Sequence, residues 1–581
     1  MKRLIPSSAA VRLSGVALLL GLGLLWSWRA DAATLRVEGV SGDLKENVTE
    51  YLGKPPEGGN TAALALYVSR AQSEVKRALE SMGYYRPKIE VKQTKGEEGP
   101  VVLVSVDPGR AVRLERVHVD IRGAAADDDA FQSLRKSLPL VTGDVLNHGN
   151  YQSAKQAIRN LALDRGYFDG RFVTHRVEVD TIAYEADVDL VYDSGPRYRF
   201  GATSFSSSPF RESLLERFLP FHQGDPYLSD DIAQLNRRLL DSGYFSDVSV
   251  RTNRDAGKDH EVPVDVELKA KDPNQVGFGL GFSTDVGPRV RISWDKPWLN
   301  SLGHALYNEL QVSKVEQSLS SRYRIPLNNP VSDYLQLQAG YLSQSFADTQ
   351  TEQYTLGVQF DKLLESDWHR ALFVRWQQDR FTQGNDEGRT TLVLPGASYR
   401  RTRSRGGLNP SWGDHQSFTV EFSEPFVGSD IDLIRVLGTT KWLRTLGTRH
   451  QFIFRLTGGA LAASDFEQVP STLRFFAGGD QSVRGYGYQR LAPKQDGKFV
   501  GGRYLATGSV EYDYRVLEHW SGALFVDAGN AFNAPNPPIH VGSGFGVRWL
   551  SPVGPVRLDF AWALDEPGKP MRLHFSMGPP L

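Results

Sequence analysis

Apolar and polar positions change their spacing near residue 274, and this change divides the chain into two parts. Before it, apolar residues recur at helical intervals; Leu239 and Leu240 follow Ile232 and Leu235 on one face of a predicted helix. After it, apolar and polar residues alternate every second position and are interrupted by polar turns. The pattern therefore predicts mixed helices and strands in the first part and antiparallel strands in the second.

The alternation is clearest near the end of the chain. Positions 556, 558, 560, 562 and 564 are Val, Leu, Phe, Trp and Leu, and the residues between them are Arg, Asp, Ala and Ala. Strands of about 9–11 residues are long enough to cross a bilayer when tilted. No further helix or sheet pattern remains to cover the apolar faces, so we expect these faces to meet lipid and the polar faces to line a lumen.

Sixteen such segments predict an antiparallel, 16-stranded transmembrane β-barrel with both ends on the periplasmic side. The predicted strands lie near 275–284, 288–297, 302–314, 316–327, 332–346, 351–363, 369–380, 390–403, 415–427, 431–444, 450–462, 502–516, 521–531, 540–550, 556–564 and 571–578. The turn at 551–555 is then periplasmic, and the long segment at about 463–501 is extracellular.

The first part contains an internal repeat. Predicted helices end in Gly83-Tyr84-Tyr85, Gly166-Tyr167-Phe168 and Gly243-Tyr244-Phe245, where each glycine can end a helix in the left-handed conformation. The predicted helices lie at 70–82, 153–165 and 229–242. Strand-like runs follow them at 88–92 with 101–106, at 177–191 and at 248–268. Each unit is a strand, two helices and two strands, typical of a small α+β domain.

The N-terminus predicts export. Lys2, Arg3 and Arg12 precede an apolar run at 16–26, which is too short to span a bilayer as a helix, and Ala30 and Ala32 suit a signal peptidase. We expect cleavage after Ala32, with an uncleaved anchor as the alternative.

Composition and motifs exclude several classes of function. Lys+Arg is 67 and Asp+Glu is 68, without the basic excess of a nucleic-acid binder. The chain has no cysteine, so disulfides and thiol chemistry are absent. It has no zinc-protease, nucleotide-loop or serine-hydrolase motif. We therefore expect no enzyme, no metal site and no cofactor.

The first barrel strand predicts a weak seam. Gly277, Gly279 and Gly281 form one face of it, and glycine weakens a strand and removes side-chain bulk. This strand must meet the last one, which carries Phe575, to close the barrel. The seam is a gate on one interpretation; on the other, the glycines make lumenal space for an inserted loop.

The long loop and the strands after it carry the most specific motifs. The loop contains Val483-Arg484-Gly485-Tyr486, and the thirteenth strand reads Phe525-Val526-Asp527-Ala528-Gly529. Alternation places Phe525, Asp527 and Gly529 on the lumenal face of the thirteenth strand. It also places Glu511, Asp513 and Arg515 on the lumenal face of the twelfth strand. A loop of this length is usually functional or disordered.

These features resemble a known family. The repeats resemble the POTRA (polypeptide-transport-associated) domain, although generic α+β modules remain the alternative, and the two motifs resemble those of the POTRA-barrel superfamily of outer-membrane assembly proteins. The resemblance implies that Arg484 enters the lumen and pairs with Asp527, in a lock that includes Gly485, Tyr486, Phe525 and Gly529. It also implies that Phe575 takes the place of the aromatic residue on which many outer-membrane barrels end.

Within that superfamily, three repeats and sixteen strands resemble the translocation and assembly module (TamA) branch. We therefore divide the chain into a signal peptide at 1–32, POTRA-like domains at 33–110, 111–196 and 197–273, and a barrel at 274–581. The resemblance implies a cell outer-membrane location with the N-terminal arm in the periplasm. It further implies unfolded outer-membrane or autotransporter-type substrates, contact with outer-membrane lipid and an inner-membrane-anchored partner resembling TamB. A two-partner-type secretion transporter and a gated outer-membrane pore are the alternatives.

Overall fold

The computed structural model describes residues 33–56, 61–96, 99–407, 409–552 and 554–577; the predicted signal peptide at 1–32 lies outside these ranges. The chain divides into two compact units. One holds the described residues up to Arg199 together with Pro226–Ser229, and the other holds Phe200–Asp225 and the residues from Asp230 onward. Among the described residues, no helix is both long and apolar enough to cross a membrane.

The first repeat places two helices against a three-stranded sheet. Its elements are β1 (Thr34–Glu38), α1 (Gly42–Leu52), α2 (Thr61–Ser81), β2 (Lys88–Gly96) and β3 (Gly99–Asp107). The central strand β3 runs parallel to β1 and antiparallel to β2. Val48, Val75 and Leu79 on the helices and Val102 and Val104 on β3 are fully buried, because the apolar faces of helix and sheet meet there.

The second and third repeats have the same order of elements. The second has β4 (Arg113–Arg122), α3 (Asp129–Ser137), α4 (His148–Asp164), β5 (Arg171–Asp180) and β6 (Glu185–Asp193). The third has β7 (Arg199–Phe205), α5 (Glu212–Leu215), α6 (Ser229–Asp241), β8 (Phe245–Thr252) and β9 (Glu261–Ala270). Their strand orders, β4-β6-β5 and β7-β9-β8, repeat that of the first sheet. The predicted α+β repeat is therefore confirmed.

The glycine corners end the second helix of each repeat as predicted. Gly83, Gly166 and Gly243 have φ angles of +88°, +79° and +78°, which glycine adopts without steric cost. Beyond the first two glycines, Tyr84 N–H donates to the Leu79 carbonyl oxygen (2.9 Å) and Tyr167 N–H to that of Ala162 (2.8 Å). These bonds satisfy carbonyl groups that the helix end leaves free.

One detail of the predicted repeats is wrong. Helices α2 and α4 begin at Thr61 and His148, earlier than the predicted 70 and 153. The predicted strand-like runs 177–191 and 248–268 each contain two strands joined by a turn, in agreement with the two strands predicted at the end of each unit. In the first of these turns, Asp180 Oδ1 accepts hydrogen bonds from the N–H groups of Ile182 (2.7 Å) and Ala183 (2.9 Å), which reverses the chain.

The barrel is a 16-stranded antiparallel sheet, which confirms the predicted strand number and fold class. Its strands are β10 (Gln275–Ser283), β11 (Gly287–Lys296), β12 (Ala305–Ser313), β13 (Glu316–Pro326), β14 (Tyr334–Phe346), β15 (Thr349–Leu363), β16 (His369–Gln383), β17 (Asp386–Arg405), β18 (Trp412–Ser423), β19 (Leu433–Leu446), β20 (His450–Ala463), β23 (Tyr504–Leu517), β24 (Trp520–Phe532), β25 (His540–Ser551), β26 (Gly554–Ala563) and β27 (Met571–Met577). The short strands β21 (Lys494–Gln495) and β22 (Lys498–Phe499) form a hairpin within the loop between β20 and β23.

The third repeat holds the first periplasmic turn of the barrel, between β11 and β12. The corner residue Tyr244 donates its hydroxyl hydrogen bond to the Gly303 carbonyl oxygen at 2.6 Å, in a buried position. Arg211 N–H donates to the Ser301 carbonyl oxygen (2.9 Å), and Trp298 Nε1 donates to that of Lys271 (2.8 Å). The corner that ends a helix here also holds a barrel turn.

Candidate functional site: the lumenal loop and the barrel seam

The loop at 464–503 folds into the lumen and packs on its wall. Val469, Leu473 and Phe475 of the loop are buried in one apolar cluster with wall residues that include Leu433 and Leu461. A second cluster joins four loop residues to Ala563 of β26; they are Ala477, Val483, Tyr486 and Leu491. Apolar side chains on a lumenal face would otherwise meet water, so their burial fixes the loop in place.

One arginine organises the start of the loop. Arg474 donates from Nε to the Val469 carbonyl oxygen (2.8 Å) and from Nη1 to that of Val500 (2.8 Å). Its Nη2 donates to the carbonyl oxygens of Phe466 (2.6 Å) and Glu467 (2.9 Å). The guanidinium therefore ties the two ends of the loop together.

Arg484, at the loop tip, is inserted against β24. It is 2% exposed, and Asp527 is fully buried. Arg484 Nε donates to Asp527 Oδ2 at 2.7 Å and Nη2 to Oδ1 at 2.9 Å, a bidentate pair, while Arg484 N–H also donates to Oδ2 at 3.0 Å. The guanidinium carbon lies 3.4 Å from the ring centroid of Phe525. The guanidinium therefore pairs with the Asp527 carboxylate at its edge and stacks on the Phe525 ring with its flat face.

The pair belongs to a larger ionic network across four strands. Arg484 Nη1 also donates to Glu511 Oε2 on β23 (2.6 Å) and to Asp559 Oδ2 on β26 (3.3 Å). Arg548 on β25 binds the other oxygens, Glu511 Oε1 (2.8 Å) and Asp559 Oδ1 (2.6 Å). Two arginines and three carboxylates thus satisfy one another inside the lumen, as buried charges must be satisfied to persist.

Two glycines allow the loop tip to reach the wall. Gly485 has a φ angle of +95°, and a Cβ there would lie 2.8 Å from the carbonyl carbon of Trp562. A Cβ at Gly542 would lie 1.8 Å from the Arg484 carbonyl oxygen. Tyr486 is then buried and donates its hydroxyl hydrogen bond to Asp565 Oδ2 at 2.9 Å. Only glycine permits this approach of two backbones.

Gly529 allows a close approach of two strands within the barrel wall. Its φ angle is +155°, and a Cβ there would lie 2.4 Å from the Ala506 carbonyl oxygen on β23. This glycine therefore lets β23 and β24 pair closely beside Asp527.

The seam between the first and last strands has few hydrogen bonds. The 16-stranded sheet has β10 and β27 as its two ends. Within the described parts of both strands and the adjoining turn, Thr284 N–H donates to the Phe575 carbonyl oxygen (3.2 Å) and Phe575 N–H donates to Thr284 Oγ1 (3.2 Å). The rings of Phe282 and Phe575 lie 5.8 Å apart. By comparison, β25 and β26 pair along ten residues.

The glycine face of β10 lies beside β11. A Cβ at Gly277 would meet Ser293 Oγ at 2.5 Å, one at Gly279 the Cβ of Arg291 at 3.7 Å, and one at Gly281 the guanidinium of Arg289 at 3.5 Å. The space beside these glycines is therefore taken by side chains of β11. On the opposite face, Val276, Phe278 and Leu280 are 76%, 69% and 67% exposed.

The loop touches both sides of the seam. Asp480 N–H donates to Asp285 Oδ2 in the turn after β10 (2.6 Å), and Gly485 N–H donates to His574 Nε2 on β27 (3.0 Å). Burial, and then repulsion from Asp480, raises the pKa of Asp285 to about 7. The segment that carries Arg484 therefore bridges the first and last strands.

Sequence reasoning located part of this site. The structure brings Arg484, Gly485 and Tyr486 to the wall that holds Phe525, Asp527 and Gly529, and it brings Phe575 to the end of β10. It also assigns roles to five residues that sequence reasoning did not single out: Arg474, Arg548, Asp559, Asp285 and His574. In the part of the chain that the structure describes, no group of three or more His, Asp or Glu side chains could hold a metal ion.

Comparisons with known proteins place this arrangement in a family. The model described as the Omp85 superfamily domain matches residues 272–579. The model described as POTRA domain TamA domain 1 matches 34–108, and the one described as surface antigen variable number repeat, a POTRA model, matches 118–193 and 198–271.

Individual relatives are distant. The chain is 23% identical over 518 residues to the outer membrane protein assembly factor BamA of Nitratidesulfovibrio vulgaris, covering 83% of this chain and 64% of the relative. It is 27% identical over 248 residues to the chloroplastic outer envelope protein 80 of Arabidopsis thaliana, covering 39% of this chain and 32% of the relative. The chain thus spans less than two thirds of the length of either relative.

A solved structure shows the same fold. BamA from Haemophilus ducreyi lacking POTRA domains 1–3 aligns with a TM-score of 0.67 and 15% identity, over 80% of this chain and 99% of that one. The predicted location is confirmed: the barrel lies in the outer membrane, with the N-terminal repeats in the periplasm.

Proposed function

This chain belongs to the Omp85 superfamily, and from that premise we propose that it assembles or translocates other proteins at the outer membrane. A substrate strand would enter at the seam between β10 and β27. The role is one of binding and guiding a substrate, and it involves no chemical reaction.

The observation that carries the proposal is the free edge of β10. Its backbone pairs with β11 along Gln275–Ser283, and β27 is not its ladder partner within the described ranges. An unpaired strand edge is a template for another strand. In lipid, where water cannot satisfy the backbone groups, that template is stronger still.

A disulfide across the seam tests this proposal. The chain has no cysteine, so Thr284→Cys with Phe575→Cys introduces a single pair, at two residues whose backbones are joined across the seam by a hydrogen bond of 3.2 Å. We expect the oxidised protein in proteoliposomes to lose insertion of an autotransporter-type barrel and to regain it on reduction. Full activity of the oxidised protein would refute entry at the seam.

The matched control is a pair between strands that remain together. Phe545→Cys with Phe560→Cys joins directly opposed residues of β25 and β26, whose rings lie 5.3 Å apart. We expect oxidation of this pair to leave insertion unchanged. Equal loss with both pairs would point to general damage by oxidation rather than to a moving seam.

We further propose that the chain is of the TamA branch and works with an elongated, inner-membrane-anchored partner resembling TamB. The match of 34–108 to a TamA-specific POTRA model supports this. The strands β2 and β5 lie at the edges of their sheets, where a partner strand can be added. Photo-crosslinkers at Lys92 and His175 in the full chain should capture such a partner; capture of substrate barrels alone would contradict the assignment.

A gated pore is the second candidate, and the filled lumen argues against it. Loop residues such as Leu473, Phe475 and Tyr486 are buried against the wall. We expect little steady conductance from the purified protein in planar bilayers. Large and stable conductance that is independent of the N-terminal repeats would favour the pore, and a dedicated exported substrate would favour a two-partner-type transporter.

A further inference from the structure

The outer wall of the barrel carries a cluster of arginines at one end. They lie on outward faces at the periplasmic ends of β16, β17 and β19, and we call them the arginine patch: Arg370, Arg401, Arg403, Arg405 and Arg444. Their outward orientation follows from strand alternation, because Val374, Tyr399 and Ile434 share those faces and are exposed on the barrel wall.

Aromatic rings, rather than carboxylates, are the main neighbours of these charges. The guanidinium carbons of Arg403, Arg405 and Arg444 lie 5.6, 5.2 and 4.7 Å from the ring centroid of Trp412. Arg401 lies 4.8 Å from the ring centroid of Trp368. Tryptophans in an outer-membrane barrel collect at the level of the lipid headgroups. The patch therefore lies at the lipid–water boundary of the periplasmic leaflet.

The positive charges of the patch exceed the nearby negative charges. Asp414 accepts two hydrogen bonds from Arg403, at 3.2 and 2.9 Å. The negative charge of the turn residue Asp367 also attracts Arg403 electrostatically. The four other arginines of the patch form no ion pair with a described residue. Guanidinium groups this close repel one another, and an anion between them would remove the repulsion.

Unsatisfied polar atoms occur in the same place. Arg401, Gln416 and Thr440 are cross-strand neighbours in one outward row, and Arg370 lies one row above. Each has a buried side-chain nitrogen or oxygen for which no described residue is a hydrogen-bond partner: Arg370 Nε, Arg401 Nε, Gln416 Oε1 and Thr440 Oγ1. Buried polar groups without partners are rare in native proteins, and four on one lipid-facing patch indicate a polar ligand.

An apolar groove begins directly above the patch. It has a volume of about 500 Å³, and its lining includes Phe360, Leu372, Pro395, Ala397 and Val420. Leu372 is two residues from Arg370 on the same face, a step of about 7 Å along a strand. The groove therefore lies at the depth of acyl chains when the patch lies at the depth of headgroups.

We propose that this face of the barrel is a binding site for an anionic phospholipid of the periplasmic leaflet. The phosphate accepts hydrogen bonds from Arg370, Arg401 and the Thr440 hydroxyl, Gln416 Oε1 accepts one from a hydroxyl of the lipid headgroup, and an acyl chain occupies the groove at Ala397. Charge complementarity selects the anionic headgroup, and the adjoining groove selects a lipid over a free phosphate. The site is built from β15–β19, in the middle of the strand order, and therefore lies across the barrel from the seam between β10 and β27.

Native mass spectrometry of the full-length protein, exposed to equal amounts of phosphatidylglycerol and phosphatidylcholine in detergent, tests the site. We expect retained phosphatidylglycerol to exceed phosphatidylcholine roughly fivefold, which corresponds to about one arginine contact. Arg370→Gln with Arg401→Gln should abolish the preference. An equal retention of both lipids by the unmodified protein would overturn the proposal.

The matched control removes two arginines from the other end of the same strands. Arg380 and Arg389 are opposed, exposed and near the extracellular ends of β16 and β17. Arg380→Gln with Arg389→Gln should keep the preference; equal loss in both double variants would show general charge attraction and refute a specific site. Folding of each variant is checked by heat-modifiable migration.

A second variant tests the groove without changing charge. Ala397→Phe places a ring in the acyl-chain groove and leaves every arginine of the patch in place. We expect retention of long-chain phosphatidylglycerol to fall several-fold, while inorganic phosphate fails to displace the lipid from the unmodified protein. Unchanged retention in Ala397→Phe, or displacement by phosphate, would refute the lipid assignment.

Discussion

The wall formed by β23–β26 and the wall at the β10–β27 seam belong to one sheet, but they are held by different interactions. At the first, neighbouring strands pair along their lengths, and Arg484 and Arg548 join three carboxylates across them. At the second, two hydrogen bonds between Thr284 and Phe575 join the described residues. The barrel therefore has one reinforced side and one side that is joined by few hydrogen bonds.

The loop connects these two sides. Its tip is anchored in the reinforced wall by Arg484, and on either side of the tip it contacts Asp285 beside β10 and His574 on β27. If the seam opens as proposed, a loop held this firmly would keep the lumen filled. The anchoring wall and the seam use different residues, so they can be perturbed separately.

The largest expected effect is that of Arg484→Ala. The variant leaves Asp527, Glu511 and Asp559 without the guanidinium that binds all three, and an uncompensated buried charge costs on the order of 3–5 kcal/mol. We expect this loss in the free energy of unfolding, measured with denaturant in detergent micelles. Asp527→Ala in the same background should add little, since coupled residues are not additive.

Arg490→Ala is the control for that experiment. Arg490 is an exposed arginine of the same loop, so its removal should change the free energy of unfolding by less than about 0.5 kcal/mol. If Arg484→Ala and Asp527→Ala proved strictly additive, the lock would not be a single energetic unit.

The next largest effect is that of Gly485→Ala. The added Cβ would lie 2.8 Å from backbone atoms of β26 at a φ angle of +95°, and neither can relax easily. We expect a loss of about 3 kcal/mol in unfolding free energy, from strain and overpacking together. Gly497→Ala, at φ +81° with open space around it, isolates the strain; an equal loss there would show that the close approach contributes nothing.

The members of this network differ in how far sequence could predict them. Arg484 and Asp527 were predicted because each lies in a short motif that resembles a family pattern. Asp559, Arg548 and His574 lie on lumenal faces beside other polar residues, and alternation alone ranks none of them above the rest. Their roles depend on register, which sets Asp559 opposite both Gly546 and His574, and register is not written in any single strand.

The fold, like the network, has features that the sequence predicts and features that it does not. Sixteen strands could be predicted because lipid outside and water inside impose a period of two on every strand. The starts of α2 and α4 could not, because helix ends are set by packing and caps such as Asn147, whose Oδ1 accepts from Gly149 N–H at 2.8 Å. The glycines of β10 predicted a weak seam, but the atoms that join it could not be predicted, because a sequence does not show which groups bond to the edge of a strand.

A pH titration tests the link between loop and seam. Because the folded pKa of Asp285, about 7, exceeds the unfolded value of about 3.9, its neutral form is favoured by folding. This contribution is fully present below about pH 3.9 and is lost as the pH rises through 7. We expect a loss of about 2 kcal/mol in unfolding free energy between pH 5 and pH 8.

Asp285→Asn should remove that loss, since the amide oxygen still accepts from Asp480 N–H and carries no charge. Asp348→Asn is the matched control: its carboxylate accepts from Phe499 N–H of the same loop in a different turn, so this variant should keep the original pH dependence. A flat profile in the unmodified protein would contradict the assigned role of Asp285.

The smallest effect on stability is expected at the seam itself. Thr284→Val removes the hydroxyl that accepts from Phe575 N–H, and one neutral hydrogen bond at an exposed site contributes about 0.5–1 kcal/mol. Ser313→Ala removes a comparable hydroxyl in the turn between β12 and β13, where Ser313 Oγ accepts from Glu316 N–H at 3.0 Å. Both variants should therefore unfold almost like the unmodified protein.

Hydrogen exchange should separate the two variants. The exchange rate of the Phe575 amide should rise several-fold in Thr284→Val and should stay unchanged in Ser313→Ala. Equal exchange in the two variants would mean that the seam is held by contacts other than this pair, and the contrast between a reinforced wall and a weak one would fail.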